Sequence, residues 1–253
     1  EHEPTISSFT HLHGVTLASH ESKTCDSLCD MQIVLIRHAH SQANARGVLS
    51  GRLPNILLSE KGVKQSQELA VRLGVFPIAQ MRISPMQRCH ETISPWLAAL
   101  PSTSQKLLIT DENLTEVDYG SWSGKKLSVL SRHKLWKTVQ GNPSAMYFPQ
   151  GEGLAHMQQR AMKAVHESLD SKRKGAAVLV SHGDVIKAIV ANALGMHLDD
   201  FQRIVIDPAS VTILDYSHGT ARLTLLNDTR SQLTELLTGP KRTKNLLGGG
   251  SGK

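Results

Sequence analysis

The sequence predicts an α/β domain, on three observations. Short apolar runs at residues 33–36, about 80–83 and 176–180 have the length and composition of buried strands. Segments with helical spacing and capping residues follow them, the alternation that builds a sheet covered by helices. Polar residues gather where each run ends: Arg37-His38 after the first, Ser84 to Arg88 after the second, Ser181-His182-Gly183-Asp184 after the third. In open α/β sheets ligands bind outside the carboxyl ends of the strands, so these loops are where chemistry is expected.

Residues 1–31 lack periodicity and are expected to form a mobile extension. Their best apolar piece, Val15-Thr16-Leu17-Ala18, is too short for a secretory segment and no basic stretch precedes it. Met31 stands immediately before the first strand and is a candidate start of translation, which would leave the upstream stretch outside the native protein. Beyond Arg37-His38 come Asn44, Ser50-Gly51 and a turn signal at Pro54-Asn55. Ser59 is a good N-cap for a helix carrying Val63, Leu69, Ala70 and Leu73, closed by Gly74. After the strand at 80–83, Ser84 is expected to cap a helix with Pro85 near its start and Arg88 in its first turns. Amides there and a guanidinium can share one phosphate.

A third short strand at 107–109 leads to an acidic loop, Asp111 to Gly124, that contains Glu116, Tyr119 and Trp122. A carboxyl half-buried in such a loop acquires the raised pKa that a general acid needs. Residues 127–139 are expected to form one helix studded with basic and imidazole groups, and 154–172 a long helix. The strand at 176–180 is followed by a helix at 185–194, closed by Gly195. Runs at 204–206, 211–216 and 223–226 read as further strands. From 228 to 253 the chain is polar, then basic (Lys241, Arg242, Lys244, Lys253) and glycine-rich, as a flexible tail is.

A length of 253 residues suits one domain of about 200 residues with tails. Hydrophobic residues at 40% and charged residues at 20% are ordinary for a soluble protein, and no apolar run approaches the roughly 18 residues of a membrane span. The three cysteines, Cys25, Cys29 and Cys89, fit no disulfide framework or zinc-site spacing, and the protein is read as cytoplasmic. The net charge of +6 is not gathered into one basic arm, and aromatics at 4% are too few for a stacking platform. Neither nucleic acid nor membrane is therefore the expected partner. A positive balance suits a pocket for small phosphorylated anions.

Three strand ends thus deliver Arg37-His38, Arg88 and His182, and a loop delivers Glu116. No Gly-rich Walker loop and no Asp-rich metal box accompany them, so the cations available to a phosphoryl group are side chains. The motifs Arg37-His38-Ala39, Asn44, Ser50-Gly51, Ser84-Pro85 with Arg88 and Thr92, Glu116 with Gly120, Trp122 and Gly124, and Val180-Ser181-His182-Gly183 resemble the histidine phosphatase superfamily. The resemblance runs over about 32–227. It implies the phosphoglycerate-mutase-like fold: a three-layer α/β/α sandwich with a mostly parallel central sheet and a cap segment at about 117–151. It further implies that His38 takes the phosphoryl group as phosphohistidine and that Arg37, Arg88 and His182 bind its equatorial oxygens. Asn44 would help hold the phosphate, with Ser50, Gly51 and Gly183 beside it, and Glu116 would be general acid, then general base. No cofactor and no metal is implied. Dimers occur in the family, and a dimer is left open here. The segment Pro149…Gly151-Glu152…Arg160 resembles a bacterial phosphomutase/phosphatase branch. Two positions depart from the family pattern: Ala39 stands in place of Gly, and Gly153 where Ser is common.

The expected function is metal-independent phosphomonoester hydrolysis on a small phosphorylated metabolite. Phosphoryl transfer is mostly positioning and electrostatic stabilisation, so fixed side-chain cations suffice in principle. The alternative is a phosphoglycerate mutase-type phosphomutase, and a non-catalytic phosphate-binding protein is the remaining reading. The presence of all five core residues speaks against the binding protein, and the stretch between Glu116 and Glu152 discriminates the first two. It is shorter than the insertion of the glycolytic mutases, which favours hydrolysis. Its Lys125, Lys126, Arg132, His133, Lys134 and Lys137 would grip a second anionic group if they faced the pocket, and are otherwise a solvated face.

Overall fold

A computed structural model describes residues 31–217 and 219–239. The expectations for residues 1–30, including Cys25 and Cys29, and for the basic and glycine-rich run from 240 lie outside the described residues. In chain order the elements are β1 (Gln32–Arg37), α1 (Gln42–Ala45), α2 (Glu60–Leu73), β2 (Ile78–Ile83), α3 (Gln87–Ala99), α4 (Ser102–Gln105) and β3 (Leu108–Thr110). There follow α5 (Leu127–Leu130), α6 (Trp136–Gly141), α7 (Leu154–Leu169), β4 (Ala176–Ser181), α8 (Gly183–Ala193), β5 (Val211–Asp215), β6 (Arg222–Asp228) and α9 (Thr234–Thr238).

The six strands form one sheet in the order β3-β2-β4-β1-β5-β6. β3, β2, β4 and β1 run parallel, while β5 pairs antiparallel with β1 and β6 antiparallel with β5. β1 lies at the centre and is apolar on both faces because both are covered. Ile33 and Leu35 pack on one side with Leu154, Met157 and Val165 of α7 and Ile186 and Ile189 of α8. Val34 and Ile36 pack on the other with Leu69 and Leu73 of α2 and Ile93 and Trp96 of α3. The result is the three-layer α/β/α sandwich. Since β1, β2 and β4 are mutually parallel neighbours, their carboxyl ends, carrying His38, Ser84 and His182, emerge on one edge of the sheet.

Several local expectations are corrected. Residues 127–139 form two short helices, α5 and α6, because 131–135 turn between them and bring Trp136 beside Trp122, with ring centroids 6.4 Å apart. The run 204–206 is not a strand. Ile204 and Ile206 are buried and Val205 exposed, so it copies the alternation of a strand while following a 3₁₀ turn (Leu198–Arg203). α7 stops at Leu169 rather than 172, and α8 starts two residues early, at Gly183. Ser84 does not cap α3: Met86 holds that position without a side-chain bond, and Ser84 turns to His182 instead. Packing also continues past 227. Arg72 of α2 donates to the Asp228 carboxylate (2.7 Å) and to main-chain carbonyls of Ala209, Asp228 and Ser231, and Leu233 is fully buried.

One glycine ties the helical layer to the loop after β1. Gly62 lies in the first turn of α2, where a Cβ would overlap the His40 carbonyl oxygen. Helix propensity alone favours Ala over Gly by about 1 kcal/mol. Overlap with a rigid backbone atom outweighs that, so Gly62→Ala is expected to lower stability by about 1–3 kcal/mol in urea unfolding. A raised denaturation midpoint would show that the close approach is not real.

Candidate active site

β1 continues its pairing past Arg37: the His38 amide donates to the Ser181 carbonyl (2.9 Å) and the Arg37 amide to that of Ser210 (3.1 Å). His38 is thus carried into the interior, with 4% of its surface exposed. Its Nδ1 lies 2.8 Å from the Ala39 carbonyl. A carbonyl only accepts, so the proton is on Nδ1 and the Nε2 lone pair is left for chemistry. Burial first, then the charges of Arg88 and Arg37, holds this imidazole well below its ordinary pKa. Thr92 braces the loop: its hydroxyl accepts from the Ala39 amide (2.8 Å) and donates to the Arg88 carbonyl (2.6 Å). The methyl of Ala39, the departure from the family's Gly, is buried in the apolar layer under α2 and α3.

Arg88 and His182 lie behind His38. One guanidinium nitrogen of Arg88 donates to the Gly51 carbonyl (2.9 Å) and to His182 Nδ1 (3.0 Å). A guanidinium has no acceptor, so His182 is protonated on Nε2, which donates to Ser84 Oγ (2.7 Å). The His38 and His182 rings lie 5.2 Å apart. Burial, and then Arg88, pushes His182 well below its ordinary pKa. Its 3.8 Å approach to Glu116 Oε2 is therefore a contact between a neutral imidazole and a carboxyl, not an ion pair. Arg37 and Arg88 each keep a buried Nε–H without a partner, an arrangement that favours an anion. Cys89, beside His182 with its Sγ 3.6 Å from Nε2, is a buried free thiol pushed up to about 12 by desolvation.

The acidic loop divides its labour. Asp111 pairs with Arg82 (2.7 Å), Asp118 accepts from the Gly120 amide, and only Glu116 enters the site. Burial, and then the Asp184 carboxylate, raises Glu116 to about 7 against the pull of Arg88. Its main-chain carbonyl accepts from Arg52 (2.9 Å) and Arg160 (3.2 Å), both of which also pair with Glu152. The Gly151-Glu152…Arg160 segment is thus the clamp on the loop that carries Glu116.

Asn44 spends its Oδ1 on Ser41, accepting from its amide (3.0 Å) and hydroxyl (2.9 Å), and lines the cavity with its side chain. Gly51 adopts a positive φ of 50°, and a Cβ there would come 2.9 Å from the Tyr119 ring. That geometry is what lets its carbonyl reach Arg88. Gly183 opens α8 against Arg37, whose Nε would be 3.3 Å from an added Cβ. Arg37, His38, Asn44, Ser50, Gly51, Glu116 and Gly183 line one cavity of about 310 Å³, while Arg88 and His182 stand just behind its floor.

The profile of the histidine phosphatase superfamily, branch 1, matches residues 33–229. The chain belongs to this superfamily. A phosphoserine phosphatase 1 of Hydrogenobacter thermophilus is 29% identical to it, over 73% of this chain and 86% of that one. A 2,3-bisphosphoglycerate-dependent phosphoglycerate mutase of Thermoplasma acidophilum is 27% identical, over 74% and 88%. Among solved structures, Bacillus stearothermophilus YhfR superposes with a TM-score of 0.70 at 27% identity, covering 78% of this chain and 97% of that one. Phosphoryl transfer on small phosphorylated molecules is the activity such membership brings.

The rest of the histidine phosphatase cavity was not legible as a site in the sequence. Its far walls are Val48, Leu49, Trp122, Leu127, Trp136 and Phe148, with Tyr119, Asp184, Lys187 and Gln202 as polar members. Tyr119 donates to Asp184 (2.8 Å), and Lys187 reaches Asp184 (3.4 Å) and Gln202 (3.2 Å). Asp184, two residues after His182, and Tyr119 and Trp122, in the loop of Glu116, were the ones with a positional signal. The six basic and imidazole residues of the cap do not line the cavity: all are exposed, and His133 rests edge-on against Trp122. Gly153 is the N-cap of α7, and a Cβ there would come 2.9 Å from the exposed Tyr147 ring.

Neutral, buried imidazoles give a direct test. Ring-carbon NMR shifts of His38 and His182 are expected to show no protonation step near 6.5, the ordinary imidazole value, with the midpoint displaced to more acidic pH. A midpoint at or above 6.5 for either would contradict the burial argument.

Proposed function

We propose that this chain is a metal-independent phosphomonoesterase working through a phosphohistidine at His38 Nε2. The observation that carries the reading is the neutral, Nδ1-protonated His38 at the floor of a cavity shared with Arg37 and Glu116. In the first displacement the Nε2–P bond forms as the ester P–O bond breaks, and Glu116 gives its proton to the leaving oxygen. A pKa of about 7 leaves that carboxyl substantially protonated at neutral pH. In the second, water attacks phosphorus, the N–P bond breaks, and the Glu116 carboxylate takes the water proton. Arg37 and Arg88, each with an unpartnered Nε–H, stabilise the charge on the equatorial oxygens, His182 contributes by fixing the Arg88 guanidinium through its Nδ1, and Asn44 offers its amide N–H. Ser50, Gly51 and Gly183 shape the backbone around the phosphate.

The phosphomutase alternative needs a grip for a second anionic group, and the outward-facing cap cations do not supply one. A binding protein without turnover needs no carboxyl raised to about 7 beside a neutral His. Read as the odd cysteine count suggests, the enzyme works in the cytoplasm.

Purified protein is expected to release phosphate from monoesters at a rate unaffected by chelator, and His38→Ala to abolish that release. Chelator-sensitive turnover, or turnover surviving the loss of His38, would refute the mechanism. For the acid step, kcat/KM is expected to fall as pH rises through about 7, because the protonated form of Glu116 is then lost. Glu116→Gln should cost about 10²–10⁴ in kcat/KM and remove that alkaline limb. A limb unchanged in this variant would assign it to another group.

A further inference from the structure

Beyond the phosphoryl end, the cavity has a chemistry of its own. Trp122, Leu127, Trp136, Val139, Phe148 and Leu154 form its outer walls. The aromatic members make one cluster: Trp122 lies near-parallel to Trp136 at 6.4 Å and edge-on to Phe148 at 5.4 Å. Arg37 and Lys187 are the cations among the lining residues, and Arg37 belongs to the phosphoryl end. The Lys187 ammonium is held 3.4 Å from the Asp184 carboxylate and 3.2 Å from Gln202 Oε1, so its charge is balanced in place. Beyond the phosphoryl end, a second anionic group would therefore meet no unpaired cation among the described lining residues, and it would lie in the same cavity as the carboxyls of Asp184 and Glu116.

The backbone keeps the cap's own charges away. The amide of Leu49 donates to the Lys125 carbonyl (3.0 Å), that of Gly124 to Leu49 (2.8 Å), and that of Leu127 to Gly47 (2.9 Å). This short ladder pins the start of the cap to the loop that follows Asn44. It turns Leu127 toward the cavity and leaves the side chains of Lys125 and Lys126 in solvent. In α6, Trp136, Val139 and Gln140 line the cavity while Lys137 points out. At about 310 Å³ the space is at the small end for a ligand site, enough for a phosphate and one compact body.

We propose that the leaving alcohol is uncharged and presents a ring-sized apolar face, which packs on Trp136 and its aromatic neighbours. The Asp184 carboxylate, which already occupies the Lys187 ammonium, disfavours a second anionic group on the leaving alcohol. This inference rests on the phosphomonoesterase reading and names the substrate class for it. Trp136 and Leu127 are the specificity-determining residues: half-exposed, on the cap, and remote from the atoms that exchange.

Three esters with alkyl leaving oxygens separate the claims: 2-phenylethyl phosphate, glycerol 1-phosphate and 3-phosphoglycerate. The first is expected to exceed each of the others by about tenfold or more in kcat/KM, the range that burial of an apolar group supports. Trp136→Ala should shrink that preference at least fivefold, mainly through KM, and Leu127→Lys should shift it severalfold toward 3-phosphoglycerate by adding an unpaired cation. Lys137→Ala, on the outer face, should leave all three values within twofold. If 3-phosphoglycerate is hydrolysed as well as the phenyl ester, or if both cap variants keep the wild-type preference, the substrate class is wrong while the hydrolase stands. If none of the three releases phosphate, the hydrolase reading falls and takes this inference with it.

Discussion

The guanidinium of Arg88 donates through one nitrogen to the Gly51 carbonyl and the His182 imidazole, with 1% of the side chain's residue surface in water. Withdrawing a full positive charge from solvent costs several kcal/mol, and such a charge persists only where acceptors are fixed around it. Nearly every local feature of the site serves that condition. The positive φ of Gly51 presents its carbonyl, Thr92 ties Arg88's own carbonyl to the β1 loop, and Ser84 leaves the helix terminus to turn His182 so that Nδ1 accepts. With the partly buried Arg37 beside it, the site holds two cations and two neutral, buried imidazoles. An anion is the ligand such an arrangement favours.

One physical cause also sets two opposite proton states. Burial penalises the charged form of any group, so it drives the imidazole of His38 down and the carboxyl of Glu116 up. The neighbours sharpen the split: Arg88 and Arg37 disfavour an imidazolium, and Asp184 disfavours a second carboxylate. In the proposed mechanism this supplies a neutral nucleophile together with a substantially protonated acid at neutral pH, the pairing that an in-line displacement from an alkoxide leaving group requires. Asp184 links this chemistry to the outer cavity, since the same carboxylate balances Lys187 and accepts from Tyr119.

Reaction and selection are built on different parts of the molecule. The groups proposed to react stand on the ends of the buried strands β1 and β4, the buried face of α3 and the acidic loop held by Arg52 and Arg160. The outer walls come from the cap, which is joined to the core by a few main-chain bonds and by the Trp122 cluster. Relatives in the same superfamily are named for different reactions, a phosphoglycerate mutase and a phosphoserine phosphatase.

The sequence by itself determined the sheet and the reactive loops. Strand runs such as 176–180, apolar at every position, have no stable place except between two layers, and a polar residue at the end of such a run has nowhere to go but the rim. Arg37, His38 and His182 were read as candidates for that reason, Arg88 from the helix start after β2, and Glu116 from the acidic loop. Local rules misled where a competing partner was distant in the chain. Ser84 looks like a cap until His182, 98 residues on, offers a better partner, and 127–139 looks like one helix until Trp136 must meet Trp122. The proton states of His38 and Glu116, the outward direction of the cap's lysines, and the neutral, aromatic-walled outer cavity were decided by tertiary structure alone. Each depends on which groups surround a side chain in space, and a one-dimensional pattern carries no information on dielectric or on the direction in which a short helix faces.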